Sequence, residues 1–324
     1  MNKPSIKQPL IKQPAAGDWR NRIFCEDVIA GIDRIPDGVV DLIIADPPYG
    51  LGKDYGNESD KLNTVDHLPW TIRWIDAVLP KLKPNGSLYI FLTWRNAPEI
   101  FVMLKQRMIM VNEIIWDRRV PSMGGSTRRF SSVHDTVGFF ANAKNYYFDL
   151  DAIRVPYDAV TKKARSRSIF VGTKWLELGC NPKDVWSVSR LHREHSERAD
   201  HPTQKPLQII ERMLKASCPP GGLVFDPFMG SGTTAVAASR CGRDFVGFEL
   251  NPDYCELIER RLQEAASARL ASTDASAASS ASSASSAASS ATASASVSAL
   301  VSTGVSDTPA GQLSFPTFPD SPCP

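Results

Sequence analysis

The chain has 324 residues, of which 42% are hydrophobic, so it can bury a substantial core, and its composition excludes a fibrous protein. The formal net charge is +2, which is compatible with a nucleic-acid partner but too weak to indicate one. No apolar run reaches the length of a membrane span or a secretory signal, and the 6 cysteines are scattered. We therefore expect a cytoplasmic protein with reduced thiols.

Composition divides the chain into three segments. We expect residues 1–17 to be a flexible N-terminal segment and residues 18–266 to be the folded domain. Residues 267–324 form a tail in which 271–296 contain only Ala, Ser and Thr apart from Asp274. Such a stretch has little apolar surface to offset the entropy of ordering it, so we predict that the tail is disordered.

Between the terminal segments, short apolar runs alternate with amphipathic stretches, which is typical of βα units around a mainly parallel sheet. The apolar runs predict strands over residues 39–45, 86–92, 111–116, 136–141, 223–226 and 244–249. Helical spacing predicts helices over residues 66–82, 208–216, 233–241 and 252–265. The folded domain is therefore predicted to be an α/β domain.

The first predicted strand is followed by Asp46, Pro47, Pro48 and Tyr49. Two consecutive prolines cannot continue a sheet and fix a stiff loop, which here combines a carboxylate, exposed carbonyl groups and an aromatic ring. Such a loop suits the holding of an exocyclic base amine. The Asp46 carboxylate and the Pro47 carbonyl could accept its two N–H bonds, and Tyr49 could stack on the base. An ordinary strand-ending turn is the alternative for this motif taken alone.

A second motif, DPFMGSGTT at residues 226–234, begins at the end of another predicted strand. Gly230 and Gly232 would let the backbone pass close beside a ligand, and the helix start behind them offers free N–H groups to a carboxylate. Glu249 ends the next strand, where an acidic residue commonly binds ribose hydroxyls. The dinucleotide and P-loop fingerprints are both incomplete, so the motif predicts a nucleoside-containing cofactor without a pyrophosphate. A tight turn that merely needs glycine is the alternative.

Together the two motifs make the sequence resemble the β group of amino-methylating DNA methyltransferases, the adenine-N6 and cytosine-N4 type of restriction-modification systems. The resemblance rests on DPPY at 46–49, HPTQKP at 201–206, DPFMGSGTT at 226–234 and FEL at 248–250, in the order of that group. It implies a Rossmann-like S-adenosylmethionine-dependent methyltransferase fold, circularly permuted, with a mostly parallel seven-stranded sheet. It also implies methyl transfer from S-adenosylmethionine to a base amine in double-stranded DNA.

The resemblance also assigns roles to single residues. It makes Asp46, Pro47, Pro48 and Tyr49 catalytic. It assigns to S-adenosylmethionine the residues Asp27, Thr203, Lys205, Asp226, Phe228, Gly230, Gly232, Thr233 and Glu249. Within this set, Glu249 would hold the ribose and Asp27 would lie near the adenine, whereas Thr203 and Lys205 would contact the methionine end. Two simpler explanations stay open, because Asp27 could cap a strand end and Lys205 could be a solvated charge.

An enzyme that acts on a base amine within duplex DNA must flip the base out and hold the duplex on a separate surface. We predict that a target-recognition region lies at about residues 154–200, between the catalytic and cofactor motifs, where basic residues cluster. The candidate DNA contacts are Lys162, Lys163, Arg165 and Arg167, together with Arg128 and Arg129 of a glycine-containing loop. A solvated basic face is the alternative.

The modified base and the class of protein are each open to a second interpretation. In the resembled family, Asp before PPY mostly accompanies adenine and Ser mostly cytosine, so Asp46 favours adenine N6 over cytosine N4. The motifs would also suit a non-catalytic DNA-binding protein that has kept the fold, or a methylase of RNA or protein. We predict no metal site and a monomer or homodimer, and the resemblance allows a cognate restriction endonuclease as a functional partner.

Overall fold

The computed structural model describes residues 19–49, 64–121, 127–166 and 173–268. The predictions for residues 1–17, for Arg167 and for residues 269–324 lie outside these ranges. Within them, no helix combines the length and the apolar character that are needed to cross a membrane.

The described ranges contain alternating strands and helices. Strands β1–β8 span Arg22–Phe24, Val40–Ala45, Leu82–Leu92, Ile109–Asp117, His134–Ala141, Val185–Ser187, Leu223–Asp226 and Asp244–Phe248. Helices α1–α7 span Val28–Gly31, Thr64–Val78, Ala97–Lys105, Ala159–Arg165, Thr173–Leu178, Leu207–Ser217 and Thr233–Arg240, and α8 covers residues 252–268. All the strands and helices that the sequence predicts are present, with ends shifted by a few residues.

One sheet contains all these strands in the order β1-β8-β7-β2-β3-β5-β4-β6. β5 runs antiparallel to its neighbours β3 and β4, and the other neighbouring pairs are parallel. The mostly parallel α/β architecture is therefore confirmed, although the sheet has eight strands rather than the expected seven. The sequence pattern missed β1 and β6 because each has only 3 residues, too few for a hydrophobic period to mark them.

Apolar layers cover both faces of the sheet, because successive residues of a strand point to opposite faces. In β2, Ile43 belongs to the core under α1, α2 and α3, whereas Leu42 belongs to the core under α6, α7 and α8. Trp74 of α2 and Met213 of α6 are completely buried in these two layers. The fold therefore has three layers, with helices on both sides of the sheet, as a mainly parallel sheet requires.

Helix α2 ends earlier than the sequence pattern predicts. It was expected to span residues 66–82 but ends at Val78, and a short 3₁₀ turn, Leu79–Lys81, follows it. Pro80 lies in this turn, and a proline has no N–H with which to continue the helical hydrogen bonds. Strand β3 consequently begins already at Leu82.

Candidate functional site

The two sequence motifs lie side by side at the centre of the sheet. Strand β2 ends at Ala45, directly before the 46–49 motif, and strand β7 ends at Asp226. These strands are parallel neighbours, with Ile43 opposite Phe225. The sheet continues from β7 to β8 and β1 on one side and from β2 to β3 on the other. The chain connections diverge at this point and leave a crevice at the strand ends, where open α/β sheets bind ligands.

A cavity opens at this crevice, and most of the residues that the sequence assigns to a cofactor line it. These residues are Asp27, Thr203, Lys205, Asp226, Phe228, Gly230, Thr233 and Glu249. Asp46, Pro47 and Pro48 line the same cavity. Trp70 and Tyr254 also belong to its wall, and the sequence pattern missed them because their only signal is that of apolar helix residues. We call this space the cofactor cavity.

Gly230 and Gly232 have different tasks in the loop after β7. Both have positive φ angles, +52° and +76°, a conformation that favours glycine. Gly230 lines the cofactor cavity, and a Cβ atom there would lie 3.0 Å from Nε2 of His201. Gly232 instead precedes α7, and a Cβ atom there would lie 2.8 Å from Ile258. The structure therefore places Gly232 behind the cavity wall, where close packing requires glycine.

The carboxylate of Glu249 holds the glycine loop. The residue is 9% exposed, and its Oε2 accepts a hydrogen bond from the N–H of Gly230 at 2.7 Å while Oε1 accepts one from Asn251 at 2.9 Å. Burial raises the pKa of the Glu249 carboxyl, and the backbone hydrogen bonds oppose this shift. Each carboxylate oxygen has a further lone pair, so Glu249 can still accept hydroxyl groups of a ligand.

Asp226 lies buried beside this loop. Burial disfavours its charged form and raises its pKa to about 7. The nearby carboxyl groups of Asp46 and Glu249 raise the pKa further, whereas hydrogen bonds from Thr234 and from the N–H of Phe228 lower it. The bond from Phe228 measures 2.9 Å. This concentration of carboxyl groups favours a ligand that carries positive charge.

Asp27 caps a helix start rather than the strand end that the simpler explanation proposed, and it also faces the cofactor cavity. Its Oδ1 accepts hydrogen bonds from the N–H groups of Ile29 at 2.9 Å and Ala30 at 3.1 Å, so it caps the start of α1. The same residue lines the cofactor cavity. It follows β1, whose last residue, Phe24, accepts a hydrogen bond from the N–H of Glu249 at 3.0 Å. Asp27 and Glu249 therefore lie at neighbouring strand ends.

The 201–206 segment is anchored by contacts that the sequence pattern did not indicate. The Gln204 side chain accepts a hydrogen bond from the N–H of Ala199 at 2.7 Å and donates one to the carbonyl of Glu197 at 2.8 Å. His201 is buried, and this burial lowers its pKa to about 4. A neutral imidazole therefore lies against the glycine loop, and the segment is held at the edge of the cofactor cavity.

Two side chains hold the carboxylate of Asp46. Tyr49 donates its hydroxyl hydrogen to Oδ1 at 2.6 Å, and the Lys205 ammonium donates to Oδ2. The sequence suggested that the Tyr49 ring could stack on a base. Tyr49 is only 7% exposed, however, so its ring packs beside Asp46 and is not open for stacking. The pairing of Lys205 with Asp46 was not predicted, because 159 residues separate the two and no local pattern connects them.

The carbonyl groups of the 46–49 motif differ in their contacts. Nε2 of His67 lies 2.9 Å from the carbonyl oxygen of Pro48, and the Asn96 side chain donates to the carbonyl of Tyr49 at 3.3 Å. Within the described part of the chain, no group donates a hydrogen bond to the carbonyl of Pro47. Pro47 lines the cofactor cavity, so its carbonyl is an available acceptor beside Asp46.

A second, wider cavity opens on the other side of Tyr49 and Lys205, and we call it the arginine cleft. The arginines in its wall are Arg95, Arg118, Arg129, Arg190, Arg193 and Arg198. Trp94 and Phe130, which are 50% and 100% exposed, belong to the same wall. Its acidic residues are Asp135 and Asp200, so basic side chains predominate. A basic cleft with exposed aromatic rings can bind a nucleic-acid backbone and its bases.

The predicted DNA contacts only partly coincide with this cleft. Among the described ones, Arg129 lines the cleft and Arg128 does not. Lys162, Lys163 and Arg165 are exposed on α4, outside the cleft wall. Arg190, Arg193 and Arg198 lie within the predicted target-recognition region of about residues 154–200, although they were not named as contacts. Arg95 and Arg118 come from earlier chain segments and belong to no basic run.

Comparison with known proteins identifies relatives of the folded region. The sequence model of a DNA methylase family, of the N6/N4 type, matches residues 40–260. The chain is 39% identical over 248 residues to the type II methyltransferase M1.MboII of Moraxella bovis, covering 72% of this chain and 93% of that protein. It is 35% identical over 243 residues to M.HpaI of Haemophilus parainfluenzae, covering 74% of each. It is 32% identical over 254 residues to the DNA adenine methyltransferase YhdJ of Escherichia coli K12, covering 77% of this chain and 85% of that protein.

Solved structures share the fold. The M1.HpyAVI–SAM complex superimposes with a TM-score of 0.51 at 24% identity, covering 74% of this chain and 99% of that one. The cytosine-N4-specific PvuII DNA methyltransferase superimposes with a TM-score of 0.57 at 20% identity, covering 74% of this chain and 85% of that one. At these identities the likeness concerns the arrangement of strands and helices.

Proposed function

Since this chain belongs to the N6/N4 family of DNA methylases, we propose that it transfers a methyl group from S-adenosylmethionine to the exocyclic N6 of an adenine that is flipped out of double-stranded DNA. One observation carries the proposal. Asp46 and Pro47 line the cofactor cavity, and the Asp46 carboxylate is hydrogen-bonded to Tyr49 and Lys205, which line the arginine cleft. A base that enters from the cleft would therefore meet a methyl donor from the cavity.

The two acceptors fit the chemistry of an aromatic amine. The lone pair of such an amine is delocalised into the base ring, which makes the amine a poor nucleophile. Hydrogen bonds from its two N–H groups to Asp46 and Pro47 would help to localise the lone pair. Holding amine, methyl group and sulfur in line can contribute about 7–11 kcal/mol to the rate, and no covalent intermediate with the protein is needed.

The residues of the cofactor cavity fit S-adenosylmethionine. When bound, this cofactor supplies an activated methyl group on a positively charged sulfur, and a positive charge in the cavity would favour the ionised forms of the Asp226 and Glu249 carboxyl groups. Glu249 would bind the ribose hydroxyls, and Asp27 at the neighbouring strand end would lie near the adenine. Phe228, which packs against Trp70 with ring centroids 5.7 Å apart, offers an apolar surface in the same cavity.

Two observations favour adenine over cytosine. The motif begins with Asp46, and in the resembled family this residue mostly accompanies adenine. The relative YhdJ, named a DNA adenine methyltransferase, is 32% identical over 254 residues. The similarity to the cytosine-N4-specific PvuII enzyme is one of fold, at 20% identity.

The arginine cleft is the surface proposed to hold the duplex. Its basic residues would neutralise phosphates, and its exposed rings, Trp94 and Phe130, could contact the flipped base or the gap that it leaves. Arg129, which the sequence predicted to contact DNA, lies in the wall of this cleft. The basic residues of α4 lie outside the cleft and are a second candidate surface for binding the duplex.

Nucleoside analysis tests the proposed function. The full chain is incubated with S-adenosylmethionine and plasmid DNA, the DNA is digested to nucleosides, and these are identified by mass spectrometry. We expect N6-methyladenine to form with the unaltered chain, and about 10²–10⁴-fold more slowly with Asp46→Ala. N4-methylcytosine would overturn the choice of base, and the absence of any methylated nucleoside would overturn the proposed activity. Parallel reactions with RNA and protein acceptors should give no transfer.

A further inference from the structure

Lys205 stands between the cofactor cavity and the arginine cleft and lines both. Its carbonyl accepts a hydrogen bond from the Thr233 hydroxyl at 3.2 Å, so its backbone is tied to the first residue of α7. Its side chain is only 8% exposed. A long, flexible side chain on a fixed backbone can move its charge between two neighbouring sites without a change of fold.

The ammonium of Lys205 lies in an aromatic box that has a carboxylate at one end. Its Nζ lies 5.0 Å from the ring centroid of Phe91, 5.6 Å from that of Tyr49 and 6.0 Å from that of Trp116. It donates to Asp46 and lies 3.4 Å from the Tyr49 hydroxyl. Aromatic faces and a carboxylate together stabilise a cation. The Lys205 ammonium thus contacts the aromatic rings and the carboxylate that a target base and its amine would need.

Asp46 is consequently occupied in this structure. Tyr49 donates to its Oδ1 and Lys205 donates to its Oδ2. An attached cation makes a carboxylate a weaker acceptor for a neutral amine, and the ammonium also fills space beside it. The Lys205 ammonium therefore has to leave Asp46 before an amine can be held there for reaction.

The amino-acid carboxylate of S-adenosylmethionine is a second anionic group, besides Asp46, with which the Lys205 ammonium could pair. The methyl group and the amino-acid end of S-adenosylmethionine are attached to the same sulfur. Among the described residues that line the cofactor cavity, Lys205 is the one lysine or arginine, so it is the cationic side chain that could hold the amino-acid carboxylate there. Two carboxylates, one of the protein and one of the cofactor, can then compete for one ammonium.

We propose that Lys205 is a positioning residue that couples the two sites. With the cofactor cavity empty it pairs with Asp46, and with the cofactor bound it pairs with the amino-acid carboxylate and releases Asp46 for the target amine. This inference rests on the proposed function. By linkage, the cofactor must raise the affinity for a flipped base by the same factor by which the base raises the affinity for the cofactor.

The first test needs no variant. A duplex carries adenine at the methylated position, once sequencing has located it, and 2-aminopurine at the neighbouring position of the same strand. Entry of the adenine into the site of the unaltered chain is then followed by the fluorescence of its unstacked neighbour. S-adenosylhomocysteine retains the amino-acid carboxylate, whereas 5′-deoxy-5′-methylthioadenosine lacks the whole amino-acid end. With both ligands at concentrations that saturate by calorimetry, we expect the first to tighten base binding about 5–150-fold and the second to leave it unchanged. Equal effects of the two ligands would overturn the proposal.

The second test uses Lys205→Met, which keeps the length of the side chain and removes its charge. Base binding by this variant should be the same with and without S-adenosylhomocysteine, because no ammonium pairs with Asp46 in either case. Lys215→Met, at a lysine of α6 that is 43% exposed, should retain the coupling of the unaltered chain. Lys205→Arg should retain most of it because the cation is kept. Unaltered coupling in Lys205→Met would overturn the proposal.

These outcomes differ from a failure of the proposed function. If the chain is no methyltransferase, the unaltered protein will neither bind S-adenosylhomocysteine nor methylate DNA. If only the role of Lys205 is wrong, binding and methylation will both be present and the coupling will be missing or independent of the amino-acid carboxylate.

Discussion

The carboxylate of Glu249 accepts a hydrogen bond from the backbone N–H of Gly230 at 2.7 Å and so ties the end of β8 to the glycine loop after β7. The sequence shows both residues as candidates for the same ligand but does not show that they hold each other. Glu249 therefore has a structural task in addition to its proposed contact with a ribose.

Glu249→Ala should weaken cofactor binding, because it removes the anchor of the glycine loop together with the proposed ribose contact. A hydrogen bond to a charged group contributes about 1.5–3 kcal/mol, so the Kd for S-adenosylhomocysteine should rise roughly ten- to hundredfold by calorimetry. Glu249→Gln keeps one acceptor oxygen and should give a smaller loss. Glu256→Gln, at an exposed position of α8, is the control. An unchanged Kd in Glu249→Ala would contradict this role.

Gly230→Ala should impair both folding stability and cofactor binding. Its φ of +52° disfavours alanine, and the new Cβ would lie 3.0 Å from Nε2 of His201. Gly221→Ala is a matched control, since Gly221 has a φ of +70° with nothing within 4 Å. Backbone strain of about 1–2 kcal/mol should lower the Tm of both variants by several degrees. Only Gly230→Ala should also weaken binding of S-adenosylhomocysteine, and equal binding by the two variants would refute the argument.

Asp46→Ala should slow methyl transfer by about 10²–10⁴-fold while leaving cofactor binding largely intact, because Asp46 acts on the target amine. Asp46→Asn keeps one acceptor oxygen and should retain more activity. Asp76→Asn removes a comparable carboxylate, which pairs with Arg107 at 2.9 Å on the surface, and should have no effect on transfer. Transfer rates under single-turnover conditions provide the measurement, and a near-normal rate in Asp46→Ala would exclude its catalytic role.

The salt dependence of DNA binding distinguishes the arginine cleft from α4. Each lost phosphate contact should reduce the slope of log K against log salt concentration by about 0.9. The double variant of Arg190→Ala and Arg193→Ala should therefore lower the slope by up to about 2. The double variant of Lys162→Ala and Lys163→Ala removes the same charge outside the cleft and should leave the slope unchanged. The opposite result would place the duplex on α4, as the basic run in the sequence suggested.

Asp226→Asn should change how stability depends on pH. The folded-state pKa of Asp226 is raised to about 7 from its ordinary value of 3.8, so the folded state favours the protonated carboxyl. The stability that this group contributes is complete below about pH 4 and is lost as the pH rises towards 7. Asparagine has no such titration. The Tm of the variant minus the Tm of the unaltered chain should therefore rise from pH 5 to pH 8, because only the unaltered chain loses this contribution.

His201 does not obscure this comparison. Its pKa is lowered to about 4, so its neutral form is favoured and its contribution rises between about pH 4 and its ordinary pKa near 6.5. Both proteins contain His201, so its contribution cancels in the difference of their Tm values. A Tm difference that stays constant with pH for Asp226→Asn would show that the pKa of the Asp226 carboxyl is not raised.

Local patterns predicted the elements that build the centre of the fold. β2, β7 and β8 consist mostly of apolar residues, because strands in the middle of a parallel sheet are covered on both faces. The short strand β6, by contrast, contains one buried residue, Trp186, between two exposed ones. Its membership of the sheet depends on pairing with β4, at Trp116 opposite Trp186, and such pairing leaves no periodic signal.

The sequence by itself determined the family-like motifs, their order and the two strand ends on which they lie, because a motif needs only neighbouring residues and a strand only a local apolar run. The tertiary structure alone decided which side chains of different motifs meet. Lys205 reaches Asp46 across 159 residues, and the cleft arginines converge from separate segments. Such meetings follow from the order in which strands pair in the sheet, and pairing order depends on the packing of the whole chain rather than on any short stretch of it.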